Sequence, residues 1–243
     1  MFQHCSRPPA NYPRITIEYV TIWLSCYILF MTEQVEPQWL KWARELQSIA
    51  QAGLAYSKNE YDLERFKQIL SLSGEIMAEG SGEPLERIEK LFTNEDGYLT
   101  PKIDVRGAVF QDGRILLVRE NMDAGKWTLP GGWGDVNNTP SENVEREVRE
   151  ETGLDVKARK IAAVYDRTKQ GHALASHYSY KLFFICELIG GKLQTSLETG
   201  ESRYFAEQEL PPEEELSLAR IRLSQIHRMF EHMRQPELPT DFD

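Results

Sequence analysis

The chain has 243 residues, 41% of them hydrophobic, and a formal net charge of −10. That length suits one medium domain with a smaller appendage. The acidic balance excludes nonspecific binding to nucleic-acid polymers or anionic membranes, which needs basic surface, so a polyanionic substrate would depend on a local cation. Cys5, Cys26 and Cys186 show no CxxC or other close spacing. Neither a disulfide framework nor a zinc site is expected, and the usage is that of a reduced, cytoplasmic protein.

Residues 1–30 differ in texture from the rest. The stretch 15–30 is apolar and β-branched, interrupted mainly by Glu18 and preceded by Arg7 and Arg14. It is shorter than the ~20 residues a spanning helix needs. No small-residue cleavage site follows, and Met31-Thr32-Glu33-Gln34 reads as a soluble start. The expectation is that 1–30 lies outside the native protein and that translation begins at Met31. A membrane anchor and a real but disordered or packed arm are the alternatives, and no membrane is expected unless 1–30 is real.

Residues 36–93 follow helical spacing. One stripe holds Trp39, Trp42, Ala43, Leu46, Ile49, Ala50 and Leu54. A second runs from Tyr61 through Phe66 and Leu70 to Met77, is broken at Gly80-Ser81-Gly82, and gives way to a third helix over 83–92. So few residues enclose little core, so the stripes pack the helices together, onto the next domain, or onto a second subunit. The segment 31–95 is read as a helical domain, joined by a linker at Asn94-Glu95-Asp96-Gly97-Tyr98.

From Thr100 the pattern is that of strands. Segments 103–110 and 115–119 flank Asp112-Gly113, a hairpin signal. Further strands are expected at 127–129, 156–165, 177–186 with a turn at Ile189-Gly190-Gly191-Lys192, and 203–205. A helix start is placed near Glu207, and an amphipathic helix over 216–233. This is an α+β sandwich spanning 100–243.

The stretch 129–154, LPGGWGDVNNTPSENVEREVREETGL, organises the chain. Thr139-Pro140-Ser141-Glu142 is a capping box with proline at the first helical position, and Gly153 suits the helix end. Over 140–152, Val144 and Val148 can bury on one side. Glu147, Glu150 and Glu151, at i, i+3 and i+4, share another face. At roughly 6 Å and an effective dielectric near 20, each carboxylate pair repels by up to ~3 kcal/mol. A cation belongs there, and oxygen ligands favour Mg²⁺ or Mn²⁺. Arg146 can pair with Glu150 or with Glu142.

Gly131, Gly132 and Gly134 let the preceding backbone approach a ligand closely and bring a carbonyl beside the same metals. The expected metal ligands are Gly131, Glu147, Glu150 and Glu151. Such ions would neutralise a diphosphate and acidify an attacking water. A further carboxylate, Glu198 or Glu201, would take the proton, the alternative being a solvated loop glutamate. Around them, Gly131 and Gly132 would approach the substrate. Trp133, Tyr165 and Tyr204 either stack on a base or fill the core. Arg106, Arg119 and Arg167 either clamp phosphate or form salt bridges. His172 and His177 are substrate contacts or ordinary loop and strand residues, and His227 and His232 fall on a helix surface.

The segment resembles the Nudix box: Gly, five residues, Glu, seven residues, then Arg-Glu-aliphatic-any-Glu-Glu-any-Gly-aliphatic. Gly132, Arg146, Glu147, Val148, Glu150, Glu151, Gly153 and Leu154 match in register. Asn138 stands where the pattern has its first glutamate, with Asp135 nearby but out of register, which bears on a secondary carboxylate and not on the main cluster. Residues 31–243 also resemble a bacterial ADP-ribose or CDP-choline pyrophosphatase-like subgroup with an N-terminal helical domain. The resemblance is carried by 97–106, Leu129-Pro130-Gly131-Gly132-Trp133, Val164-Tyr165-Asp166-Arg167 and 195–199. It implies a Nudix-type α/β/α sandwich with a mixed sheet, and a homodimer built partly by the N-terminal helices. It also implies hydrolysis of a nucleoside diphosphate linked to a moiety X, giving a nucleoside monophosphate and X-phosphate. A catalytically weakened nucleotide sensor is the alternative.

Overall fold

The computed structural model describes residues 36–93, 97–172, 175, 177–196 and 199–243. The expectations for 1–30, Met31 and Glu198 lie outside them. Helices α1 (Gln38–Tyr56), α2 (Glu60–Ser81) and α3 (Leu85–Thr93) come first. Asn59 starts α2 by accepting from the Tyr61 and Asp62 amides, and Gly82, at φ 72°, ends it. Gly80 is therefore not a break as expected. It lies within α2, where a Cβ would come 2.2 Å from the Trp39 ring, so its small size serves close packing. Leu40, Ala43, Met77, Ile88 and Phe92 form the core of the three helices.

Seven strands follow among the described residues: β1 (Lys102–Gln111), β2 (Arg114–Glu120), β3 (Lys126–Thr128), β4 (Leu154–Asp166), β5 (Ser179–Gly191), β6 (Thr199–Phe205) and β7 (Asp241–Phe242). Their order is β3-β2-β1-β5-β4-β7, with β6 also on β2. The β1–β2 turn has positive φ at both Asp112 (50°) and Gly113 (72°), the geometry an Asp-Gly hairpin favours. β1 and β5 pair in parallel while β4 and β5 are antiparallel, so the sheet is mixed.

Helices α4 (Pro140–Thr152) and α5 (Leu223–Arg234) cover opposite faces. Val144 and Val148 of α4 pack with Val105, Val109, Leu116 and Phe184. Ile226, Met229 and Phe230 of α5 pack with Ala108, Leu117 and Phe183. The alternation along β1 divides these two cores, and the result is an α/β/α sandwich. At Gly107 a Cβ would stand 2.7 Å from the Val148 side chain, so α4 lies close against β1. That contact fixes the height of the α4 glutamates.

Three boundaries differ from expectation. β5 does not turn at Ile189 but continues to Gly191, because Gly190 and Gly191 pair with Asp155 and Leu154 of β4. The last helix begins at Leu223 rather than 216, since Leu216 bridges to Trp127 and the Ser217 amide donates to the Trp127 carbonyl. Tertiary pairing there overrides an apolar pattern that suits a helix. The expected helix near Glu207 is one 3-10 turn, Glu207–Glu209.

Candidate active site

The capping box sets where α4 begins. The Thr139 hydroxyl accepts from the Glu142 amide (3.2 Å), and the Glu142 carboxylate accepts from the Thr139 amide (2.8 Å). Glu142 is committed there, so Arg146 turns elsewhere. Its guanidinium pairs with Glu150 (2.7 Å), Glu147 (2.9 Å) and Asp135 (2.9 Å). Asp135, out of register with the box, thus brings a carboxylate to Arg146. Asn138 is exposed, and its carbonyl accepts from the Asn143 side chain.

The three glutamates are unequal. Glu150 is 59% exposed, the Glu147 side chain 13%, and Glu151 is buried at 4%. Burial pushes the Glu151 carboxyl up to about 8, with Glu147 and Glu120 adding to the rise and Arg106 and the Gly131 amide opposing it. Burial likewise raises Glu147, against Arg146. Among the described residues no three carboxylates converge as a preformed metal site. Arg146 is the physical reason for Glu150, which it draws outward along the helix.

The glycine loop runs beside β1 like a short extra strand. The Gly107 and Val105 amides donate to the carbonyls of Pro130 (2.9 Å) and Gly132 (2.8 Å). Between them the Gly131 amide donates to Glu151 (3.1 Å). Gly131 has φ 141°, and a Cβ there would lie 2.0 Å from the Val105 carbonyl oxygen. At Gly132 a Cβ would meet the Glu147 carboxylate at 2.8 Å. Loop and helix are fitted to one another at these two glycines.

Residues 100–229 match the family model described as the NUDIX domain, and residues 37–92 match a UDP-X-like N-terminal oligomerisation domain. A Bacillus subtilis protein with the provisional name ADP-ribose pyrophosphatase YjhB is 42% identical over 210 residues, covering 86% of this chain and 99% of its own. The chain belongs to the Nudix hydrolase family. An ADP-ribose pyrophosphatase of Methanocaldococcus jannaschii is 35% identical over 119 residues, 47% of this chain and 67% of its own. A crystal structure of a UDP-X diphosphatase shares 32% identity at a TM-score of 0.54, covering 84% of this chain and 98% of its own. A Streptococcus suis ADP-ribose pyrophosphatase structure shares 40% at a TM-score of 0.52, covering 59% and 100%. The Nudix hydrolases act on phosphorus-containing acid anhydrides, and α4 is the helix of the Nudix box.

The remaining Nudix-domain candidates separate by environment. Arg106 is buried and donates to Asp104 (2.6 Å) and to the Leu129 carbonyl (3.2 Å). Arg119 pairs with Glu201 (3.3 Å) and lies over the Trp127 ring. Salt bridges describe both. Arg167 is also buried, yet it makes no ion pair or hydrogen bond with a described residue. Glu201 lies within β6, not ahead of it, and the Thr199 hydroxyl ties that strand to the Glu151 carbonyl (2.7 Å). Trp133 is 46% exposed and meets the edge of His177 at 5.1 Å. Tyr165 packs on Phe183, and Tyr204 packs on the α4 side of the sheet. His172 is buried against the Leu218 carbonyl, and burial drives it down to about 3. His232 is not on a helix surface but 1% exposed beside Asp241.

Sequence reasoning passed over Glu120, Asp104 and Lys181. Glu120 is 3% exposed at the end of β2, pairs with Arg220 (3.0 Å), and adds its charge to the Glu151 environment. Asp104 receives both Arg106 and Lys181 (2.7 Å). The available signal was charge inside apolar strand runs: a glutamate closing ILLVRE, alternate charges in IDVRG, and one lysine in SYKLFF.

Proposed function

We propose that the chain is a divalent-metal-dependent pyrophosphohydrolase that splits a nucleoside diphosphate linked to X into a nucleoside monophosphate and X-phosphate. The observation that carries this reading is the fit of the α4 carboxylates to the glycine loop, with Glu151 buried against the Gly131 amide and Glu147 lying against Gly132. Those oxygen donors fit Mg²⁺ or Mn²⁺. The holding residues are Glu147, Glu150, Glu151 and the Gly131 carbonyl, whose neighbours at Pro130 and Gly132 are taken by β1. Glu150 would have to leave Arg146 and turn inward to join. Bound there, the ion would neutralise the diphosphate and acidify an attacking water.

The chain's own residues supply the rest. Arg146 would keep Asp135 as a partner if Glu150 moved. Glu151, held by burial and the Gly131 amide, would ligate, and Glu201 or Glu198 would take the proton. Gly131, Gly132, Trp133, Arg106, Arg167 and Tyr204 are the proposed substrate-side residues. The relatives' names support ADP-ribose or a UDP-linked compound as substrate, with CDP-choline from the sequence resemblance. A panel of ADP-ribose, CDP-choline, a UDP-sugar, NADH and NTPs with Mg²⁺ or Mn²⁺ tests the reading. Turnover of a diphosphate-linked substrate is expected. Tight ADP-ribose binding with no turnover would instead favour the sensor alternative.

We divide the chain into a helical domain at 31–95 and a catalytic domain at 100–243. Trp42, Ile49 and Tyr56 recur at seven-residue spacing along α1 and are 55%, 49% and 72% exposed. An apolar stripe of this kind supports a homodimer through the helices. Sedimentation of Trp42→Glu tests it, and an unaltered dimer would refute that interface. No helix among the described residues is long and apolar enough to cross a membrane. The cysteine usage supports a cytoplasmic placement.

A further inference from the structure

A cavity of about 720 Å³ opens between α1, the segment leading into β1, and the turns flanking β4 and β5. Its size is that of a small-molecule site. It occupies one of three distinct faces of α1. Leu40, Ala43 and Ala50 face the helical core, and Trp42, Ile49 and Tyr56 face solvent. Lys41, Arg44, Glu45 and Ser48, at i, i+3, i+4 and i+7, line the cavity.

The far wall comes from the catalytic domain, with Lys102, Thr168, Lys169, His177 and Tyr178. Leu91, Phe92, Leu99 and Pro101 supply an apolar side. In a chain with ten more acidic than basic groups, this lining holds Lys41, Arg44, Lys102 and Lys169 against Glu36 and Glu45. Arg44 pairs with Glu36 and lies over the Tyr178 ring, 5.7 Å from its centroid.

Arg167, next in the chain to Thr168 and Lys169, is 8% exposed. It has no hydrogen-bonded acceptor among the described residues, and burial and Arg44 push its guanidinium below the usual range, with Asp104 and Glu36 only partly opposing them. A buried cation without a hydrogen-bonded partner is costly, and an anion in contact relieves that cost. The cavity also adjoins the cleavage centre. His177 in its wall touches Trp133, which directly follows Gly131 and Gly132, the two residues fitted against Glu151 and Glu147.

We propose that this cavity takes the nucleoside monophosphate half of the substrate, the base against the apolar wall and Tyr178 and the phosphate toward Arg167 and Arg44. The N-terminal helices then complete the substrate site as well as serving assembly. The inference rests on the hydrolase reading above for the identity of its ligand.

The test titrates AMP, CMP and UMP calorimetrically into the full chain without metal, for the native sequence, Ser48→Trp to fill the cavity, and Lys169→Glu at its exposed rim. At least one nucleotide should bind the native chain saturably. Both variants should weaken that binding by about tenfold or more and raise KM in proportion, with kcat within about threefold, the pattern of lost uniform binding. Thermal melting of Lys169→Glu, a surface change, guards against misfolding of Ser48→Trp. Failure of all three nucleotides to bind, or affinities and KM unchanged in both variants, overturns the proposal. A native chain that hydrolyses nothing yet binds a nucleotide through this cavity would sink the hydrolase reading and leave the site standing.

Discussion

Two groups of buried charge lie within electrostatic reach of one another, and they are built on opposite principles. On β1 and β5, Asp104 sits between Arg106 and Lys181, with both its oxygens engaged. Burial alone would raise its pKa, but the two cations overcome that and hold it well below the usual carboxylate range. Lys181, 0% exposed, is lowered by burial to about 8 even with Asp104 opposing. On α4 and β2, burial outweighs Arg106 and the Gly131 amide, two neighbouring carboxylates add to it, and the Glu151 carboxyl is pushed up to about 8. The first group holds a geometry by direct pairing, although Arg106 also reaches Glu151 and Glu147 electrostatically. The second leaves a buried carboxyl incompletely compensated, the condition in which the cation proposed above would bind.

The largest effect expected from disturbing that contrast is at Glu151. Glu151→Gln should lower metal-dependent hydrolysis by roughly 10²–10⁴-fold, as for loss of a central catalytic group. In EDTA its melting temperature should match or exceed the native one, while added Mg²⁺ should stabilise only the native chain. Undiminished hydrolysis in steady-state assays would remove Glu151 from the chemistry.

Asp104→Asn should do the reverse, acting on stability first. It leaves Arg106 and Lys181 buried without their anion, which costs about 3–5 kcal/mol by urea unfolding. The pH dependence has a definite sign. Asp104 has its pKa depressed on folding, so as pH falls the unfolded chain takes up the proton first and stability is lost. The gap between native and Asp104→Asn should be full above about pH 4 and shrink below it. A gap that widens in acid would show that Asp104 is not held by its cations.

Smaller effects should separate the two glycines that join these groups. Gly131→Ala sets a Cβ against the Val105 carbonyl in a backbone conformation side chains avoid, and should cost about 1–3 kcal/mol. Gly132→Ala meets only the end of a movable Glu147 side chain, so stability should hold while activity falls by about 10–100-fold, as when a metal ligand is misoriented. Equal stabilities of the two variants, by thermal melting, would deny that one glycine serves the fold and the other the site.

The α4 half of this comparison was legible in the chain because it is local. A capping box, a terminal glycine and the i, i+3, i+4 spacing specify which carboxylates share a face, and all lie within 139–153. The β1–β5 half was not. Asp104 meets Lys181 only through parallel register across 77 positions, and Glu120 approaches Glu151 only when β2 and α4 are both in place. Alternation in a strand tells which residues share a face but not which strand lies alongside. The same limit explains the final helix, where Leu216 is claimed by Trp127 rather than by helical periodicity.

Arg146 has a consequence for the life of the chain before catalysis. By gripping Glu147, Glu150 and Asp135 it gives the glutamate face a cation encoded in the polypeptide. The α4 helix thus lies against β1 with its glutamate face already partnered. On the reading proposed above, metal loading would be an exchange of partners on that scaffold, with Glu150 letting go of one side chain.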